Sequence, residues 1–394
     1  MNSLKRRNFL KLSGLALAPA ILPVLTADAK PSILNTDTPA KPLISFTDDG
    51  VHYAPEEYIA KLQEINAKEP IKADVYGQGG SLAKLQKQFA TITGKEAATY
   101  MPTGTMANQQ AISVLSGENT KIFVQDTSHI YRDEADAAQS VFRKRLMPLA
   151  PNEPYFTLDD LKAGIAFTND GEVFKSGIGA VAIENPVRRC DGRTVPIEEI
   201  KKISAFCKAN GYKLHLDGAR LYLASAFTGV SIAEYSSYFD TVYISLYKYL
   251  GADGGAILCG EKAVIDKMEH LIKIYGGTVY SNWSKCAMAL HHLDGLEDRL
   301  KQTVARTTDL FASLNKLPGV KIEALKGGSN IFDMTLAKTI DPKKLRKALA
   351  DNKVYIRNAN ADGLVKLQVN ETLLRTDNAS LVKIFSDAIA LAKA

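Results

Sequence analysis

Two kinds of apolar spacing alternate along the chain. Stretches such as 56–67 and 82–93 repeat apolar positions every three to four residues, the mark of a helix with one buried face. Between such stretches lie short apolar runs: Ile122-Phe123-Val124, then 178–183, 212–216, 241–244 and 256–258. Runs of this length bounded by polar turns predict buried strands. Strands separated by helices predict an α/β fold, with a mainly parallel sheet covered by helices on both faces. From about residue 282 the pattern changes. A helical stretch through residue 314 is followed by strand-like segments 320–324 and 331–336, a helix near 343–350, a strand near 364–369 and a last helix. This predicts a smaller α+β domain over 282–394, after a large domain with its N-terminal segment over 30–281. No long repeat and no second apolar run of membrane length interrupts the pattern.

The first 29 residues stand apart. The basic stretch Lys5-Arg6-Arg7-Asn8-Phe9-Leu10-Lys11 precedes an apolar run over 12–25, and Ala27-Asp28-Ala29 supplies the small-x-small spacing of a cleavage site. The run is too short to span a bilayer, so it predicts a signal peptide rather than an anchor. The paired arginines resemble a twin-arginine signal, which exports proteins already folded. The expected mature chain begins at Lys30, is periplasmic and keeps no stable membrane anchor.

Composition adds little to this picture. The chain has 394 residues, 46% hydrophobic and 23% charged, ordinary values for a globular protein. Of the net charge of +6, Lys5, Arg6, Arg7 and Lys11 against Asp28 account for +3, leaving a weakly basic body. With no nucleic-acid-binding signature, this argues against a nucleic-acid partner. Cys190, Cys207, Cys259 and Cys286 are widely spaced without a C-x-x-C, and the six histidines form no ligand cluster, so no metal site is expected. One disulfide after export stays open.

Three segments carry candidate chemistry. In Ser245-Leu246-Tyr247-Lys248-Tyr249-Leu250-Gly251, a lysine sits between a strand end and a glycine-bearing turn, where it can be both buried and reachable. Burial lowers an amine's pKa and frees neutral amine for attack on an aldehyde. In Lys213-Leu214-His215-Leu216-Asp217-Gly218-Ala219-Arg220, alternation puts His215 and Asp217 on one face of a strand. An Asp at that strand's carboxyl end can meet a protonated pyridine nitrogen, or simply form a structural ion pair. In Met101-Pro102-Thr103-Gly104-Thr105-Met106-Ala107-Asn108, small and hydroxyl residues open a helix whose free N–H groups can bind phosphate, or merely cap it.

Taken in that spacing, with Ser128-His129-Ile130 and Ile183-Glu184-Asn185, these segments resemble the threonine aldolase and aromatic amino acid β-eliminating lyase family, from Asp74-Val75-Tyr76-Gly77 to the C-terminus. The resemblance implies an aspartate aminotransferase-like (type I) fold with a seven-stranded-type sheet. It also implies pyridoxal 5′-phosphate (PLP) as cofactor and a homodimer or homotetramer. It assigns Thr103, Gly104 and Thr105 to the phosphate, and His129 to stacking on the ring or acting as a base. Asp217 meets the ring nitrogen, Glu134 lies near the ring, and Lys248 carries the cofactor. Arg220 reaches either the substrate carboxylate or the ring's phenolic oxygen, with Tyr76 and Lys366 also on the substrate. His215 reads as a hydrogen-bonded strand residue, and His291-His292 as part of a small-domain helix.

Departures from the family pattern fall on the substrate side. Phe46-Thr47-Asp48 stands where Arg-Ser-Asp is usual, and Pro186-Val187-Arg188 replaces Thr-His-Asn. Lys366 replaces an arginine, Tyr247 a small hydroxyl residue, and 276–280 lacks its usual arginine. Three functions follow as expectations: a lyase cleaving a β-hydroxy-α-amino acid to glycine and an aldehyde; a β-eliminating lyase or aminotransferase on the same scaffold; and a non-catalytic, exported PLP or amino-acid binding protein.

Overall fold

A computed structural model describes residues 44–393. The expected leader over 1–29 lies outside the described residues. Twelve strands form three sheets. They are β1 (Ile44–Ser45), β2 (Ala97–Met101), β3 (Lys121–Gln125), β4 (Arg145–Leu149), β5 (Ile178–Glu184), β6 (Lys213–Asp217), β7 (Thr241–Ser245), β8 (Ala256–Gly260), β9 (Val320–Ala324), β10 (Ile331–Leu336), β11 (Val354–Tyr355) and β12 (Leu364–Gln368). The main sheet has seven strands in the order β2-β8-β7-β6-β5-β3-β4. Only β8 runs against its neighbours; the other pairings, from β7 to β4, are parallel.

The central strands read as continuous apolar runs because both faces are covered: β3, β7 and β8 are buried at every position. The two strands that the apolar pattern missed lie at the sheet's edges. β4 is Arg-Leu-Met-Pro-Leu and half-exposed, with a proline that an edge strand tolerates. β2, Ala-Ala-Thr-Tyr-Met, is likewise only partly buried.

The helical stretch expected to run unbroken to residue 314 is two helices, Trp283–Leu293 and Leu296–Leu314. Gly295 between them takes φ 65, a left-handed turn that glycine adopts without steric cost. The first helix packs on the large core through Cys286, Ala289 and Leu293. His291 and His292 therefore belong to a helix, as expected, and it leans on the main sheet's core. The second hydrophobic cluster begins near Leu310, includes β9, β10 and β12, and takes in Ile44 and Phe46. β1 pairs in parallel with β11, so the N-terminal segment threads back across the small cluster and brings Thr47, Asp48 and Asp49 with it. All four cysteines are free, and burial raises the thiols of Cys207 and Cys259 to about 12.

Candidate active site

Parallel strands of this type deliver their chemistry at their carboxyl ends, where chain crossings leave a crevice. Five such ends meet here. β2 leads through Pro102 and Thr103 into the helix Gly104–Ser116, and β3 leads to His129. β5 ends on Glu184, β6 on Asp217, and β7 runs into Lys248. A cavity of about 370 Å³ is lined by Thr103, Gly104, Thr105, His129, Asp217 and Lys248, among others. It adjoins a wider one of about 780 Å³, and both are lined by His129, Asp133, Arg220, Tyr247 and Lys248.

Lys248 is only 9% exposed. Burial first, and then the nearby charge of Arg220, push its amine down to about 8. At 1.36 kcal/mol per pKa unit this disfavours the ammonium by roughly 3 kcal/mol, so roughly a quarter is neutral amine near pH 7.5.

Behind the cavity lies a buried polar network. Asn108, on the helix Gly104–Ser116, donates through its side-chain amide to both Glu134 and Asp217, each at 2.9 Å. Its carbonyl faces His215 Nε2 at 3.0 Å, while Thr241 holds His215 Nδ1 at 2.8 Å. Burial drives His215 down to about 4, so it is neutral and donates from Nε2 to the amide oxygen. This matches the expected hydrogen-bonded strand residue. Asp217 also accepts from the Ala219 N–H at 3.1 Å.

Glu134 does not face the cavity. It sits behind His129, bonding its Nδ1 at 3.0 Å, with Gln109 as a further donor. That bond raises the His129 pKa and leaves Nε2 without a protein partner among the described residues. Glu184, buried at the end of β5, accepts the backbone N–H groups of His129 at 2.8 Å and Arg188 at 2.9 Å. Burial and the charge of Asp217 raise it to about 7. Glu184 thus pins the two loops that flank the cavity.

At the helix start, Thr103 accepts from Met106 N–H at 3.1 Å, a cap worth about 1 kcal/mol. A Cβ on Gly104 would lie 2.1 Å from the Tyr243 hydroxyl, so a side chain there would have to displace the buried Tyr243 ring. The N–H groups of Gly104 and Thr105 are left uncovered at the cavity wall, an anion cradle of the kind helix N-termini provide. A low-pKa lysine, a buried aspartate and this cradle around one cavity fit PLP.

Two expected substrate residues lie elsewhere. Lys366, on β12, faces its cross-strand neighbour Asp333 on β10 at 2.6 Å and also binds Asp191 at 2.9 Å. Burial alone would lower its pKa; the two carboxylates outweigh that and raise it. It is an internal ion-pair residue and does not line either cavity. Tyr76 is 58% exposed, stacked edge-on against Tyr280 at 5.2 Å, outside this chain's own crevice. Arg220 is in place, yet its Nε is held by Asp49 at 2.8 Å.

Other site residues went unnoticed in the sequence: Asp49, Arg189, Arg357 and Gln368, all lining the wider cavity, as does Arg188 of the Pro186-Val187-Arg188 departure. Gly50 is one more, since its Cβ would lie 2.6 Å from Tyr249 Cα, a spacing that lets the N-terminal segment press onto the Lys248 loop. The Phe46-Thr47-Asp48 departure from the family pattern was the available signal for Asp49 and Gly50, which follow it directly.

The β-eliminating lyase family model matches residues 59–358. A low-specificity L-threonine aldolase of Candida albicans is 34% identical over 275 residues, 69% of this chain and 72% of that protein. One from Saccharomyces cerevisiae is 30% identical over 291 residues, 73% and 74%. Among solved structures, a putative L-allo-threonine aldolase from Listeria monocytogenes superposes with TM-score 0.72 at 25% identity, over 88% of this chain and 97% of that one.

Proposed function

Because the chain belongs to the β-eliminating lyase family, we propose that it is a PLP-dependent carbon–carbon lyase of the threonine aldolase type, cleaving a β-hydroxy-α-amino acid to glycine and an aldehyde. The observation that carries this reading is the single cavity on which Lys248, Asp217, the Gly104–Thr105 cradle and the Glu134-held His129 converge. When bound, PLP supplies an electron sink for the pair released at Cα.

Each of the chain's own groups has a task. Lys248, kept partly neutral by burial, would hold the cofactor. Asp217, fixed by Asn108 and the Ala219 N–H, would pair with the cofactor's ring nitrogen. His129 stacks above the cavity, and its free Nε2 takes the β-hydroxyl proton, directly or through a water, as the Cα–Cβ bond breaks. Glu134 fixes the tautomer that leaves Nε2 available. Removal of a β-hydroxyl proton is what separates this reading from transamination, which has no use for such a base.

The experiment is incubation of the cofactor-loaded protein with L-threonine, L-allo-threonine and phenylserine, assaying glycine, aldehyde and keto acid together. Glycine with an equal amount of the matching aldehyde is the expected result. Keto acid as the main product assigns β-elimination or transamination instead, and no product assigns a binding protein.

Two further parts of the proposal concern assembly and location. The exposed Tyr76, Tyr275, Val279, Tyr280 and Trp283 lie on two segments that touch through the Tyr76 N–H and the Tyr280 carbonyl, 2.8 Å apart. Clustered exposed aromatics of this kind mark a protein interface. A homodimer or homotetramer covers them and is how Tyr76 reaches a substrate, in the partner's crevice. Export rests on the twin-arginine-like leader, and the N-terminal sequence of the mature periplasmic protein, expected to start at Lys30, tests it.

A further inference from the structure

The wider cavity holds many charges, and nearly all are spent on one another. Arg188 and Arg189 converge on Asp133, at 3.1 Å and by a shorter contact respectively. Arg220 is paired with Asp49, and Asp191 with Lys366. Asp48 is held by the hydroxyls of Ser45 and Thr47. Arg357 differs: among the described residues it has no carboxylate partner. Its Nη2 donates to the Thr47 carbonyl at 2.8 Å and to Gln368 Oε1. Its Nε and Nη1 have no acceptor.

This arginine is not a stray surface charge. Gln368 is buried, and its amide donates to Asp49, which in turn holds Arg220 beside Lys248. A chain of polar contacts therefore ties Arg357 to the lysine end of the cavity, across elements 319 residues apart in sequence. Arg357, though exposed, is anchored through Nη2 at the wall of a cavity that Lys248 also lines. A substrate amino acid places its amine at Lys248 and needs a cation for its carboxylate. Arg220 offers it a site already shared with Asp49, and Lys366 would have to leave two carboxylates.

Resting on the lyase reading, the geometry points to Arg357, and not Lys366, as the side chain that takes the substrate's α-carboxylate. Thr47 and Gln368 are positioning residues that hold its plane. Both fork edges of the guanidinium include Nη2, which Thr47 and Gln368 occupy, so the contact is one charge-assisted hydrogen bond from a remaining donor to one carboxylate oxygen.

The test compares glycine with methylamine, the same amine without the carboxylate, by titrating the visible absorbance of the cofactor-loaded protein and taking the ratio of the two Kd values. Loss of a charge-assisted pair is expected to cut the wild-type preference for glycine about 10–100-fold in Arg357→Gln. Arg357→Lys is expected to fall between the two, and Lys366→Gln to change the ratio less than about 3-fold. Unchanged cofactor absorbance before titration certifies that each variant is folded and loaded. A ratio unaltered in Arg357→Gln, or one that collapses in Lys366→Gln instead, overturns the assignment while leaving the lyase reading standing. Failure of glycine to perturb the wild-type spectrum at all overturns the lyase reading, and this assignment with it.

Discussion

The floor and the mouth of the crevice are wired differently. At the floor, Asn108, Glu134, Asp217 and His215 are all buried, and one amide side chain joins the other three. At the mouth, Arg188 and Arg189 share Asp133 with side chains 51%, 46% and 20% exposed. A closed buried network resists change, because deleting one member strands the rest in a medium of low dielectric. An exposed pair is screened, gains little and is readily exchanged. The contrast explains how one scaffold keeps its cofactor chemistry while its substrate side drifts: the departures at Phe46-Thr47-Asp48, Pro186-Val187-Arg188 and Lys366 all fall outside the floor.

The largest expected effect breaks the floor. Asn108→Leu keeps the volume and removes three hydrogen bonds, leaving Glu134, Asp217 and His215 short of a partner. It is expected to cost about 3–5 kcal/mol of stability, read by denaturant unfolding, together with weakened cofactor retention. A cost under about 1 kcal/mol would mean the network is no more cooperative than the mouth.

A milder change leaves the floor packed and alters only its charge. In Glu134→Gln, His129 keeps an acceptor at Nδ1 but loses the carboxylate charge that raises its pKa. A base must be neutral, so the wild-type acid limb of kcat/KM is expected to lie above about pH 6.5, the ordinary imidazole value, and the variant's limb lower than the wild type's. The linkage sign agrees. A raised folded pKa stabilises the fold fully below the unfolded value, and this contribution fades as pH rises through the folded one. A limb that does not move would take His129 out of the base role.

The smallest effect belongs to the mouth. Arg188→Ala leaves Asp133 with Arg189, and its stability change is expected to stay within about 1 kcal/mol, with the cofactor absorbance untouched. A larger loss by thermal unfolding would erase the contrast between the two regions.

How much of this was legible in the sequence follows the same division. Lys248, Asp217 and the Pro102–Asn108 segment could be read because each sits where a periodic element ends, and strand ends and helix starts leave local signatures. The buried strands could be read because two covered faces force continuous apolar runs. Edge strands β2 and β4 lack that constraint and could not. Gln368, Arg357 and Asp49 are polar residues joined across the chain by tertiary contacts, and no local period marks them. Lys366 was misplaced because alignment fixes a position along a strand but not which carboxylates its neighbours present. Asn108 stood in the recognised segment, yet its three-way bonding depends on Glu134, Asp217 and His215 arriving from separate elements.

The central claim is that Lys248 is the amine of a prebuilt PLP floor. Borohydride reduction of the loaded protein, followed by peptide mass mapping, tests it most directly. One stoichiometric pyridoxyl adduct, on Lys248, is the expected result. An adduct on another lysine, or none in a protein that retains its cofactor, would contradict it.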